Sequence, residues 1–353
     1  MNDILWKRLG ETIMVGMIGG FVFAYGSLPL PWIIGPMIAI LLWQGLTNRN
    51  MYCPGSLKNG SLLTLGVFFG LYFTVNTLKT VGPYFLPYVL MTAALIFVSV
   101  FNSSIVTKWI EIDKITSAFG TIPGGLTEMV IASESLKANS SLVAIFQTVR
   151  LLTVLFLVPF IIFHAFSGEY AAIQTSVMET SYSGSGWAYL WYLVPGVIGY
   201  HLRNAVPAGI LILPLVVTAV LNISPAPLAS LPPLLLTGAQ LIAGICLGKS
   251  ISFQDLKSGG KYCFVYFALT LVLIFVSFGL GTILAMSTPL SLPTAILSVA
   301  PGGLLEMVLT AAAVGGDPAV VSALQLVRFF LIVVFVPPVL KWYFRKRNMT
   351  SAA

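Results

Sequence analysis

Pro123-Gly124-Gly125-Leu126-Thr127-Glu128-Met129-Val130 occurs a second time, 178 residues later, as Pro301-Gly302-Gly303-Leu304-Leu305-Glu306-Met307-Val308. Each copy is followed at the same distance by a glutamine and an arginine: Gln147 and Arg150, then Gln325 and Arg328. Both copies lie inside apolar sequence, where a Gly-Gly pair, a carboxylate and a guanidinium are all costly. A chain that accepts that cost twice, at one spacing, is expected to have arisen by duplication around a site.

The repeat is wider than the motif. At the same offset of 178, Pro29 matches Pro207 and Pro36 matches Pro214. Gly60, Gly66 and Gly70 match Gly238, Gly244 and Gly248, and Leu78-Lys79 matches Leu256-Lys257. Gly82 matches Gly260, Tyr84 matches Tyr262, and Pro159 matches Pro337. The reading is a first membrane repeat over 1–166, a polar linker over 167–186 and a second membrane repeat over 187–353 that ends in a basic tail.

Composition sets the class. Of 353 residues, 58% are hydrophobic and 8% are charged, against roughly a quarter charged in a soluble domain. Apolar segments fill most of the chain, six before the linker and six after it, so the reading is an all-α integral membrane protein. The net charge of +7 is then a matter of topology, not of nucleic-acid binding. Cys53, Cys246 and Cys263 form no CxxC pair, and the histidines are His164 and His201. That pattern argues against a metal centre and against a disulfide framework. No Walker loop, Ser/His/Asp grouping or dinucleotide fingerprint is present, so no enzyme activity and no cofactor are expected.

Basic residues choose between parallel and inverted halves, because Lys and Arg collect in cytoplasmic loops. Leaving aside Arg150 and Arg328, sixteen of the eighteen Lys and Arg lie in loops or tails. With twelve crossings, ten fall inside and six outside. If each Pro-Gly-Gly segment dips in and returns, fifteen fall inside and Lys79 alone outside. The sequence therefore predicts inverted repeats, each of five crossing helices plus one re-entrant Pro-Gly-Gly hairpin, with both termini cytoplasmic in the cell (inner) membrane. Proline breaks the helix, glycines permit positive φ and close approach, and each segment splits into two arms too short to span. Such backbone survives at membrane depth only when buried in protein or lining a wet cavity.

The candidate site follows from that geometry. After each Gly-Gly a half-helix begins, its free amides and positive dipole end facing the membrane interior, as in inverted-repeat transporters that hold anions. Glu128 and Glu306 sit in the first turn, as dipole-favoured carboxylates or as groups that couple a proton or cation. Arg150 and Arg328 lie near the midplane, each sharing a helix face with Gln147 or Gln325. Each needs a standing partner, and the first-turn glutamates are the expected ones. A guanidinium can also grip a carboxylate or phosphate with two prongs. Gly60, Gly66, Gly70 and their copies read as a helix-packing face.

The duplicated Pro-Gly-Gly segment, the Gln-x-x-Arg that opens a long apolar helix, and Gly35-Pro36-Met37 resemble the AbrB-type membrane protein family. The likeness covers essentially the whole chain. By that resemblance the matching positions are Pro123, Gly124, Gly125, Gln147 and Arg150, with Pro301, Gly302, Gly303, Gln325 and Arg328. The family often carries an ammonia monooxygenase label, and one branch is associated with regulating expression of a DNA-alkylation-response gene. An ammonia-oxidising enzyme needs metal ligands that two histidines do not supply. The expected function is secondary transport of a small anionic metabolite, with a membrane sensor that indirectly regulates gene expression as the alternative. The expected partners are the lipid bilayer and a small-molecule or ion substrate, with no nucleic acid; homo-oligomerisation is left open.

Overall fold

The computed structural model describes residues 2–47, 49, 51–170, 186–224, 228–229, 231–251 and 253–350, and every regular element among them is helical. Helices α1 (Asn2–Tyr25), α2 (Pro31–Thr47) and α3 (Gly55–Leu71) open the first repeat. A short α4 (Val75–Val81) runs through a 3-10 turn (Gly82–Tyr84) into α5 (Phe85–Val106). The Pro-Gly-Gly segment is two helices, α6 (Lys114–Thr121) and α7 (Leu126–Ser135), and α8 (Ser140–Tyr170) follows. Most of the polar linker lies outside the described residues.

The second repeat resumes with a 3-10 helix (Gly186–Tyr192) that leads into α9 (Leu193–His201). It continues as α10 (Gly209–Ile223), α11 (Pro233–Ser250) and α12 (Phe253–Ser287). Its own broken segment is α13 (Leu292–Val299) and α14 (Leu304–Ala313), and α15 (Pro318–Thr350) closes the chain. Five stretches are long and apolar enough to cross a membrane: Val75–Val106, Ser140–Phe166, Pro233–Ser250, Lys257–Ser287 and Pro318–Leu340. The helices α2, α10 and α14 are apolar but shorter. This is the helical make-up of a membrane protein.

In space the chain does not divide where the repeats do. One compact unit takes Met1–Thr80, Pro159–Phe253 and Val308–Ala319; the other takes Val81–Val158, Gln254–Met307 and Val320–Ala353. Each unit thus combines matching parts of both repeats.

The first unit shows what the glycine faces are for. A Cβ on Gly66 or Gly70 of α3 would run into the backbone carbonyls of Leu211 or Leu215 on α10. A Cβ on Gly244 or Gly248 of α11 would meet those of Ile33 or Met37 on α2. At the offset of 178, Leu211 is the counterpart of Ile33 and Leu215 of Met37. Each repeat's third long helix therefore packs on the second long helix of the other repeat, and the same contact is made twice. Gly60 and Gly238 meet nothing within 4 Å, so the packing face is two glycines deep, not three. Gly66→Ala or Gly244→Ala is expected to lower stability by about 1–3 kcal/mol, because backbone on the facing helix cannot step aside. Gly60→Ala should leave the melting temperature within about a degree or raise it slightly; thermal unfolding in detergent checks all three.

Cysteine pairing is a correction. The absence of a disulfide, expected from spacing, does not hold: Cys53, just before α3, is bonded to Cys246 of α11 across 193 residues. Their Cα atoms are 6.1 Å apart, within the usual span of such a bridge. Spacing fails as a guide here because the exchange of helices between repeats, not sequence proximity, brings the two thiols together.

The second unit repeats the exchange. Tyr88 of α5 is fully buried and donates its hydroxyl to the Ser298 carbonyl of α13 at 2.9 Å. Its counterpart, Tyr266 of α12, donates to Ser117 Oγ of α6 at 2.7 Å. The matched glycines also mark matched breaks: Gly82 opens the 3-10 turn, and Gly260 interrupts α12 at φ 47 and ψ −129, a conformation a side chain would oppose.

Candidate functional site at the broken helices

Each broken segment is built by local chemistry. Asp113 caps α6, its Oδ2 accepting the amides of Ile115 and Thr116 at 3.1 Å each. At the far end the chain leaves α6 through extended backbone at Ile122 (ψ 130), and leaves α13 the same way at Ala300 (ψ 136). Pro123 and Pro301 cannot donate to a continuing helix. Gly125, at φ −65 and ψ 140, then starts α7. The first bonds of the new helices run from the Met129 amide to Gly125 O at 2.9 Å and from Met307 to Gly303 O at 3.2 Å.

Positive φ, expected at the glycine pairs, is not used there: among the described residues the glycines with positive φ are Gly260 and Gly315. What the pairs supply is room. The Met129 side chain lies over Gly124 and the Glu128 carboxylate over Gly125; Met307 and Glu306 do the same over Gly302 and Gly303. Each glutamate is thus the third helical residue curling back over its own cap, as in a capping box. Glu128 is half-buried and Glu306 buried. A double-mutant cycle tests this contact. Gly303→Ala should cost about 1 kcal/mol of stability by displacing the Glu306 carboxylate, and the cost should vanish in a Glu306→Ala background.

The arginine partners differ from those expected. A short helix leaves its last carbonyls without intrahelical donors, and buried in protein they need other donors. Gln147 Nε2, on α8, donates to Phe119 O at 2.5 Å and Ile122 O at 3.1 Å. Arg150 donates through Nη1 to Ile122 O and through Nη2 to Gly124 O, both at 2.7 Å. On α15, Gln325 Nε2 donates to Leu297 O at 2.7 Å and Ala300 O at 3.4 Å. Arg328 donates to Val299 O at 3.2 Å, to Gly302 O at 2.6 Å, and also to Ala300 O and Gln325 Oε1. The glutamates are not in these pairs. The described salt bridge is Arg49 with Glu11, 3.9 Å apart and largely exposed. Carbonyls win because cations favour the negative end of a helix, and each guanidinium fork fits two carbonyls of one turn.

All ten motif positions, with both glutamates, therefore come together as two copies of one device, a broken helix clamped by the Gln-x-x-Arg of the next helix. Gln147 and Gln325 are fully or almost fully buried, as are Arg150 and Arg328. The two guanidiniums lie within electrostatic reach of each other. In the first copy Arg150 Nε and Gln147 Oε1 are buried without a hydrogen bond. Sequence reasoning passed over Tyr88 and Tyr266, which tie the opposite repeat to each short helix, although both stand at the offset of 178.

The model of the family described as "Transition state regulatory protein AbrB" matches residues 32–344. The chain belongs to the AbrB family. Among curated relatives, "Uncharacterized protein YhjN" of Bacillus subtilis (strain 168) is 23% identical over 92% of this chain and 90% of its own. "Putative regulator AbrB" of Escherichia coli (strain K12) is 26% identical over 97% of both chains. No solved structure matches. The matched residues include both clamps.

Proposed function

We propose that this AbrB family member is a secondary transporter of a small anionic metabolite in the cell membrane, and not an enzyme. The observation that carries the proposal is the charge balance of the second unit. Arg150 and Arg328, one from each repeat, are buried within electrostatic reach of each other; Arg150 is bonded to carbonyls, and Arg328 to carbonyls and Gln325, instead of a carboxylate. Two buried cations held this way favour an anion between the starts of α7 and α14, where first-turn amides add their own attraction. The start of α14 is open, since Gly303 is exposed. The outer donors of both arginines hold the hairpins, so a two-pronged grip on substrate is replaced by the long-range field and the remaining Arg150 Nε. Glu128 and Glu306 occupy the cap positions that an incoming anion would contest.

Under this reading each broken segment is a re-entrant hairpin, the repeats are inverted, five helices cross per repeat, and both termini are cytoplasmic. The fifteen-to-one charge bias supports that topology. Counterflow in proteoliposomes tests the function. Exchange of at least one anion from a panel of carboxylates, amino acids and phosphate, with none of ammonium, is expected. Silence across the panel favours the second reading, a membrane protein with a regulatory role, to which the relative's printed name lends support.

A further inference from the structure

The duplication supplies an internal control for every buried polar residue. Packing that both repeats need should be kept in both; a polar group kept in one alone needs another reason. Beside the end of α6, within the second unit, a small cavity is lined by Ser99, Asn102, Gly120, Thr121, Tyr266 and Thr270, with Leu269 and Leu273 completing the wall. It has room for about one water-sized body. Ser99 Oγ and Asn102 Nδ2 are buried there without a hydrogen bond.

The counterpart positions differ. Tyr88 and Thr92 repeat Tyr266 and Thr270, but Leu280 stands for Asn102, Val299 for Thr121 and Ser298 for Gly120. Ser277, which stands for Ser99, donates to Ile274 O at 2.8 Å. The fold therefore packs without Asn102 and Thr121, and burying them beside an unbonded Ser99 hydroxyl is unfavourable unless something binds there.

The hydroxyl protons say what binds. Thr121 Oγ1 donates to the carbonyls of Ser117 and Ala118 at 3.2 Å each. Thr270 Oγ1 donates to Tyr266 O, and Tyr266 to Ser117 Oγ, each at 2.7 Å. Ser103 Oγ also donates to Ser117 Oγ, at 2.8 Å. With these protons committed inward, what remains for the cavity is lone pairs. Ser99 can turn its oxygen in, and a half-turn of the Asn102 amide brings Oδ1 in as well. The cavity adjoins the carbonyl end of a short helix, which carries partial negative charge. Oxygen acceptors around a water-sized space suit a dehydrated monovalent cation better than an anion.

We propose that this cavity is a binding site for a small monovalent cation of the sodium class. Binding does not depend on the transporter reading; the role of coupling ion does. Arg150 is bonded to Ile122 O, one residue beyond Thr121, so its charge opposes the cation until an anion offsets it. Anion and cation would then favour each other's binding by equal factors.

Thermal unfolding of the purified protein tests the site, with sodium chloride replaced by choline chloride or potassium chloride at constant ionic strength. Sodium should raise the wild-type melting temperature by several degrees in a saturable way, and potassium by less. Asn102→Leu and Thr121→Val each install the residue of the other repeat; they should fold normally in choline and lose the sodium increment. No sodium increment in the wild type, or an increment unchanged in both variants, overturns the site and leaves an ordered water there. If either variant fails to fold, hydrogen exchange on the wild type decides: sodium should protect the amides of 118–122, and equal exchange in sodium and choline overturns the site. A sodium increment without any solute exchange keeps the site and removes the transporter. Solute exchange with no sodium increment does the reverse.

Discussion

Arg328→Leu should remove most folded protein. Its guanidinium serves Val299, Ala300 and Gly302 carbonyls and Gln325 Oε1. Leucine takes a donor from all three buried carbonyls; Ala300 O keeps Gln325 Nε2 and the Gly302 amide, while Val299 O and Gly302 O lose their side-chain donor. At about 1–3 kcal/mol for each buried unsatisfied group, the loss is a large part of the roughly 5–15 kcal/mol that holds a domain together. Arg150→Leu takes the side-chain donor from Gly124 O, while Ile122 O keeps Gln147 Nε2 and the Gly124 amide, and should cost less. The expected order of monodisperse yield in size-exclusion chromatography is wild type, then Arg150→Leu, then Arg328→Leu. Near-normal yield of Arg328→Leu would show that the clamp is dispensable for folding.

The second large effect is on solute exchange. Arg150→Lys keeps the charge and can satisfy one of the two carbonyls, so folded yield should fall modestly. The lysine cannot reproduce the planar fork or the Nε edge, and anion exchange should drop at least about tenfold, the rate consequence of about 1.4 kcal/mol. Counterflow normalised to folded protein measures this. Exchange at the wild-type level in both Arg150→Lys and Arg328→Lys would refute a substrate role for the arginines. Loss of yield and exchange in equal proportion would leave the structural role alone.

How far the sequence could be read depended on whether a feature was local or set by the exchange between repeats. The breaks at Pro123 and Pro301, the glycine packing positions and the joint burial of Gln147 with Arg150 all come from local rules repeated at one offset. The arginine partners did not. A carboxylate in the first turn of the half-helix, 22 residues before each arginine, is the natural match for a guanidinium by sequence. That logic overlooked the orphan carbonyls that a helix of eight residues leaves at its end. The Cys53–Cys246 bridge and the Tyr88 and Tyr266 contacts were hidden for a related reason. Each depends on a helix of one repeat lying against the other repeat, which no spacing within a repeat shows.

The central claim is that the broken segments are hairpins in inverted repeats. Topology reporters fused after Lys137 and after Gln254 test it directly. If each Pro-Gly-Gly segment returns to the face it entered from, both reporters read cytoplasmic. An external reading at either position would contradict the inverted arrangement, and the paired half-helix site with it.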